Sequence, residues 1–209
     1  MKDLTDRALN LAQVKGASYA DMRIARRENQ EVVVKNGNVE DLSIGQSQGF
    51  GVRVIVDGAW GFAASSLLSA PEVDRVTALA VQIARASALV KRQEARLDPP
   101  RQIVATYRTP VKIDPFTVPL DRKIEILLAA DALMRKVEGI KVAEGSIEAW
   151  RERKTFASTE GSFIEQEIIE TGGGSECTAV GHDDVQKRSY PNSFGRHQGT
   201  LGFALIEEL

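Results

Sequence analysis

With 209 residues, 43% of them hydrophobic and 27% charged, the chain has the length and apolar content to bury a core without disulfides or structural metals. Its 27 Lys and Arg against 29 Asp and Glu leave a formal net charge of -2, short of the basic excess that sequence-independent binding to a phosphate backbone requires, so direct nucleic-acid binding is not expected. No apolar run nears the roughly 20 residues that span a bilayer, and Met1 to Arg7 is charged and helical rather than signal-like, which predicts a cytoplasmic protein with no membrane segment.

Leu4, Ala8, Leu9, Leu11 and Ala12 recur at helical spacing, and Gly16 follows as a stop. From Tyr19 to Ser65 the pattern is extended and rich in Val and Ile, with Asn36-Gly37 and Asp57-Gly58 as tight turns of an antiparallel meander. Phe50, Trp60 and Phe62 are expected to supply apolar area between sheet and helix, with Trp60 in the core. Ser69-Ala70-Pro71-Glu72 then has the composition of a helix start: a serine to accept a free N-H and a proline where no N-H is needed. The spacing predicts a helix to Leu89 or Val90 that packs Val73, Val76, Ala80, Ile83, Ala84 and Ala88.

Prolines 99, 100, 110, 115 and 119 mark residues 98–119 as an extended connector, with one edge strand at Ile103 to Tyr107. A helix over 120–137 is expected to bury Ile124, Leu127, Leu128, Ala132 and Leu133. Ile140 to Tyr190 is again strand-like, with turns expected at Glu160-Gly161, Gly172-Gly173-Gly174 and His182-Asp183-Asp184. The fold class that follows is α+β, with residues 1–97 as a helix, meander and second helix, 98–119 as the connector, and 120–209 as a second helix-plus-meander unit.

The order of helix then meander occurs twice. At an offset of 124, Leu4 falls on Leu128, Ala8 on Ala132, Leu9 on Leu133, Gly37 on Gly161, Ile44 on Ile168, Gly49 on Gly173 and Val56 on Val180, which points to an internal duplication. The stretch Gly199 to Leu209 ends within an apolar segment without a cap and reads as an interrupted chain.

Tyr19-Ala20-Asp21-Met22-Arg23-Ile24, Val34-Lys35-Asn36-Gly37, Gly49-Phe50-Gly51-Val52-Arg53-Val54 and Asp57-Gly58-Ala59-Trp60-Gly61-Phe62-Ala63 together resemble the opening of TldD/PmbA proteins, the modulator-of-DNA-gyrase family of metallopeptidases. Pro115-Phe116-Thr117-Val118-Pro119-Leu120 and Phe156-Ala157-Ser158-Thr159-Glu160-Gly161-Ser162 fit the same family, in its order. The resemblance implies an N-terminal portion, truncated before a C-terminal domain in which catalytic members hold zinc with an HExxxH helix and a later cysteine. It also implies a peptide or protein substrate, unfolded or extended, and a homodimer or a heterodimer with a family paralogue. This part would then help frame the substrate cleft and assemble subunits. The rival reading is a non-enzymatic interaction module or a catalytically silent partner subunit.

No residue here matches that zinc motif, because His182 is followed by Asp183 with Gln186 four further on, and His197 by Gln198. The expectation is therefore no catalytic residue, no metal ligand and no cofactor in this chain, and a fragment inactive by itself. Cys177, the one cysteine, reads as a small buried apolar side chain rather than a reactive thiol. Gly49-Phe50-Gly51 lies between extended segments and not at a helix start, where a phosphate loop would need it. His182-Asp183-Asp184 reads as a solvated hairpin turn. His197 with Arg188 and Arg196 is a weak candidate for a substrate carboxylate. The clusters Arg23, Arg26, Arg27 and Arg151, Arg153, Lys154 are expected on an exposed strand face or edge. Ser65-Ser66 and Ser158-Thr159 have no histidine at a spacing that suggests a triad.

Overall fold

The computed structural model describes residues 1–98, 102–191 and 197–208. In chain order the elements are α1 (Lys2–Val14), β1 (Tyr19–Lys35), β2 (Asn38–Val56), β3 (Ala59–Ser65), α2 (Ala70–Ala88), β4 (Val104–Arg108), α3 (Leu120–Met134), β5 (Ile140–Ser158), β6 (Phe163–Val180), β7 (Val185–Tyr190), β8 (His197–Gly199) and α4 (Ala204–Glu207). The strands hydrogen-bond in the order β3-β2-β1-β5-β6-β4, with β7 and β8 also on β6. β4 runs parallel to β6, which makes an otherwise antiparallel arrangement mixed. The class is α+β, as the helical and extended patterns predict.

Two compact units result, each drawn from three separate stretches of chain: Met1–Arg27, Ser47–Arg108 and Glu152–Glu167 form the first, and Glu28–Gln46, Thr109–Arg151 and Ile168–Leu209 the second.

In the first unit, α1 ends on Gly16 at φ +90°, with Gly16 N donating to Gln13 O and Ala17 N to Ala12 O, a left-handed stop that glycine adopts without strain. Ser69 caps α2 by accepting from Glu72 N at 3.4 Å. A doubly hydrogen-bonded ion pair, Arg7 to Asp74 at 2.7 and 2.6 Å, links the two helices on the surface. Ala20, Met22 and Ile24 of β1 and Phe50, Val52, Val54 and Val56 of β2 are buried with Ala8 and Ala12 of α1 and Val73, Val76, Ala80, Val81 and Ala84 of α2. Each such valine stabilises the unit by roughly 1.5 to 3 kcal/mol relative to exposure.

Of the three aromatics expected between sheet and α2, Phe50 is buried there and Trp60 and Phe62 are not. On β3 the buried residues are Ala59, Gly61 and Ala63, while Trp60 is 39% exposed and Phe62 55%. The cause is close packing: a Cβ on Gly61 would meet Ala80 O at 2.1 Å, so small residues must face the helix and strand alternation sends the aromatics to the other face. On α2, Ile83 is likewise 38% exposed, and Thr77 and Val81 take the buried positions.

In the second unit, Val32, Val34, Leu127, Ile147, Phe203 and Ile206 form the apolar core. Ala132 and Leu133 are exposed, contrary to expectation, because α3 buries Lys123, Leu127 and Asp131 at a spacing of four. Lys123 Nζ is satisfied by Gln30 Oε1 at 2.6 Å and Pro115 O at 2.7 Å, and burial pushes its pKa down. Asp131 accepts from Arg135 Nε at 2.6 Å. The three glycines 172–174, expected in a turn, lie inside β6. A Cβ on Gly172 would meet Gln198 Cγ, and one on Gly173 would meet Ile206 Cδ1, each at 2.7 Å, so these glycines admit neighbouring chain rather than reverse the strand. Arg151, expected on an exposed face, is 7% exposed and sits between Glu28 (3.0 Å) and Asp114, over the ring of Phe116 at 4.4 Å.

Asn36-Gly37 joins β1 to β2 with φ of 48° and 80°, and Asp57-Gly58 joins β2 to β3 with φ of 48° and 71°, the double positive φ of a tight hairpin turn. Gly161, at φ +87°, turns β5 into β6 as Gly37 turns β1 into β2, and Gly49 and Gly173 both fall inside the second strand of their pair. The connector's Pro99, Pro100 and Arg101 lie outside the described residues.

Candidate functional site

Strand alternation sorts the first arginine cluster before any tertiary contact does. Arg23 and Arg27 leave β1 on the face away from α1 and α2, together with Asp21, whereas Arg26 leaves on the other. Arg53 of β2, Trp60 and Phe62 of β3 and Glu152, Lys154 and Phe156 of β5 share the face of Arg23.

The result, within the first unit, is an open groove of about 850 Å³ whose lining includes Asp21, Arg23, Arg27, Gly51, Arg53 and Phe62. Its polar floor is tied down. Arg53 donates from Nε and Nη2 to Asp21 Oδ2 at 2.9 and 2.6 Å, and the Tyr19 hydroxyl donates to the same oxygen at 2.9 Å. Arg53 also lies 5.3 Å over the Trp60 ring, and Trp60 meets Tyr19 edge-on at 5.8 Å. Burial, reinforced by the Asp21 carboxylate, pushes the Tyr19 phenol up to about 12, while the hydrogen bond to Asp21 raises Arg53 further still. Glu152 takes Arg27 Nε at 2.7 Å and Lys154 Nζ at 2.7 Å. Burial works to raise its pKa, but the hydrogen bonds from Lys154 and Arg27 outweigh it and hold the carboxyl below its ordinary range.

Arg23 differs from its neighbours. It is exposed, and among the described residues its guanidinium meets the Phe156 ring at 5.3 Å and no carboxylate. Phe62 lies over Gly51, where a Cβ would come within 2.7 Å of the ring, and it walls the groove with exposed apolar surface. Chemically the groove offers a guanidinium and aromatic faces, suited to binding rather than bond breaking. The signal for it was present in β3, where small residues alternate with Trp60 and Phe62, a pattern that puts the aromatics on the face without a helix.

The other sequence candidates stand apart from this groove. His182 and Asp183 form an exposed pair at 2.6 Å in the β6–β7 turn, closed by Gly181 N donating to Asp184 O. His197 is exposed on β8, and Arg188, exposed on β7, stands opposite a half-buried Cys177; Arg196 lies outside the described residues. Thr159 Oγ1 accepts from Ala20 N at 3.0 Å, Ser65 Oγ accepts from Leu67 N at 3.2 Å, and Ser158 Oγ is buried with no hydrogen-bond partner among the described residues. Among the described residues no group of three or more His, Cys, Asp or Glu is placed to hold a metal ion, so the residues present do not fit a zinc site. No helix is long and apolar enough to cross a membrane.

Comparison with known proteins assigns residues 20–84 to the PmbA/TldA metallopeptidase domain 1 and residues 113–208 to the PmbA/TldA metallopeptidase central domain. The chain is 29% identical over 193 residues to a metalloprotease of Methanocaldococcus jannaschii, covering 91% of this chain and 41% of the relative. It is 25% identical over 189 residues to a metalloprotease of Methanothermobacter thermautotrophicus, covering 90% and 39%. The chain thus spans about two fifths of the length of these curated relatives. In fold it is similar to crystal structures described as a putative modulator of DNA gyrase from Thermotoga maritima (TM-score 0.73, 15% identity, covering 95% of this chain and 43% of that one) and from Bacteroides thetaiotaomicron (0.74, 17%, 95% and 45%). It is also similar to TldE of Thermococcus kodakarensis (0.60, 13%, 90% and 43%). Two domain models of one family, matched in order along most of the chain, show that it belongs to the PmbA/TldD metallopeptidase family.

Proposed function

We propose that this chain is the N-terminal, non-catalytic part of a cytoplasmic zinc metallopeptidase that acts on unfolded or extended peptides. In this reading the zinc and the residues that activate water belong to a following domain, and no step of hydrolysis is assigned to the residues described above. The first-domain and central-domain matches carry the proposal, because they account for this chain while the metalloprotease relatives are more than twice its length. What these residues do is bind and orient: an open sheet face with an exposed guanidinium and aromatic walls holds an extended chain at the mouth of the cleft. Subunit assembly, as a homodimer or with a paralogue, is part of the same proposal, as is an origin of the two helix-and-hairpin segments by duplication.

The test is to express this chain and a form extended to the length of its relatives, with and without a paralogous subunit, and to measure zinc content and cleavage of an unstructured peptide. Zinc and chelator-sensitive cleavage are expected only in the extended form. One equivalent of zinc with cleavage by this chain alone overturns the proposal, and an extended form without an HExxxH segment favours the silent partner subunit.

A further inference from the structure

We propose that the helix-free face of the first unit's sheet is a docking groove for an extended acidic peptide segment, with Arg23 as the ligand of a side-chain carboxylate and Phe62 as the wall for a neighbouring apolar side chain. The inference deepens the proposed function, and rests on it only where the docked peptide is called a substrate.

Charge complementarity carries the argument. Among the described residues, four cations (Arg23, Arg27, Arg53 and Lys154) share this face with Asp21 and Glu152, with Glu160 acting on Tyr19 at its end, and the bonds of the first two carboxylates are taken up: Asp21 by Arg53 and Tyr19, Glu152 by Arg27 and Lys154. These bonds fix the neighbours and leave Arg23 presenting its donor fork to solvent, propped against Phe156. A planar guanidinium held by an aromatic ring is arranged for a two-pronged bond to a carboxylate, and less rotamer freedom is lost when the bond forms. The groove is broad and open rather than enclosed, which disfavours a small molecule that needs most of its surface covered. Its backbone floor at Gly49 and Gly51 and the exposed Phe62 suit a chain lying flat, with alternate side chains turned in. Nucleic acid is the poorer match for this face, since Arg27, Arg53 and Lys154 are already paired and one free guanidinium is not the row of cations that a phosphate backbone needs.

The experiment is fluorescence anisotropy with the whole chain and three labelled peptides of alternating sequence, Glu-Leu, Gln-Leu and Lys-Leu, alongside a labelled single-stranded DNA. The Glu-Leu peptide is expected to bind at least about tenfold more tightly than the Gln-Leu peptide, with the advantage shrinking as salt rises. Arg23→Glu should abolish that preference and favour the Lys-Leu peptide, Arg23→Lys should keep part of it, and Phe62→Ser should weaken the Glu-Leu and Gln-Leu peptides alike. Both positions are exposed, and thermal melts matching the parent confirm that the variants fold. Equal binding of the Glu-Leu and Gln-Leu peptides, a preference unchanged in Arg23→Glu, or DNA bound as tightly as the Glu-Leu peptide would each overturn the proposal. Because no cleavage is read, a negative result here leaves the peptidase reading standing, and an inactive extended form leaves this groove standing.

Discussion

Gly61 of β3 lies so close to Ala80 of α2 that a Cβ would stand 2.1 Å from its carbonyl oxygen and 2.6 Å from Ala84 N. The obstacle is helix backbone, which cannot swing aside as a side-chain tip can. Gly61→Ala is therefore expected to push α2 off the sheet at a cost of about 3 kcal/mol, the upper part of the usual overpacking range. For a chain of this size that lowers the melting temperature by roughly 6 to 12 °C, readable by calorimetry. A variant that melts with the parent shows the strand and helix to be less intimate than described.

Trp60 gives the opposite result. With 39% of its surface exposed, it contributes an edge-on contact with Tyr19 and a stacking contact with Arg53. Trp60→Ala should cost about 1 to 2 kcal/mol, the sum of two such contacts, rather than the ~3 to 5 kcal/mol of a fully buried tryptophan. Urea unfolding distinguishes the two.

Tyr19 makes the pH dependence of the first unit legible. Its phenol is raised from 10.0 to about 12 in the folded chain, by burial and then by Asp21. A raised folded pKa means that its contribution is fully present below pH 10 and is lost as pH climbs from 10 toward about 12, where the unfolded chain releases the proton first. Tyr19→Phe should flatten the alkaline loss of stability across that window and remove the component of the ultraviolet tyrosinate titration centred at about 12. An identical titration in both proteins contradicts the assignment.

Lys123 tests the second unit. Lys123→Ala leaves the Pro115 carbonyl buried without its donor and the half-buried Gln30 Oε1 without its own, and opens a void, and it should destabilise by about 3 kcal/mol. Lys123→Met refills the volume with a side chain that needs no partner and should recover part of the loss. Equal melting of all three proteins shows the buried ammonium to be neither a support nor a burden.

Lys123 also shows where sequence pattern stops being readable. The helical period of α3 is in the sequence, but a lysine at core spacing looks solvated until Gln30, 93 residues away, and the Pro115 carbonyl accept from it, and Asp131 looks solvated although Arg135 one turn on pairs with it. Burial of Leu133 was then inferred where none exists. Turn chemistry is local, so Asn36-Gly37, Asp57-Gly58 and Gly161 were legible from a few residues each. Glycines 172–174 carried the same composition for another reason, the close approach of Gln198 and Ile206, which no local rule contains. The repeat behaves similarly: Gly37 with Gly161 and Gly49 with Gly173 keep their offset in the strands, while Ala8 is buried and Ala132 exposed in the helices. The groove was half visible, since alternation places Arg23 and Phe62, but assigning the aromatics to the core hid its apolar wall.

Each compact unit is assembled from three stretches of chain, and this constrains the order in which the protein can be made. The first unit has its own N-terminus, both major helices and most of its apolar residues by Arg108, yet it is not complete until Glu152–Glu167 has been synthesised. Through the intervening residues the nascent chain carries a sheet whose next strand does not yet exist, with backbone donors and acceptors unpaired at its margin. A stalled or prematurely terminated product ending in that interval would expose an open strand edge, so truncations between 108 and 152 should aggregate or be degraded, whereas chains reaching 167 can close the unit.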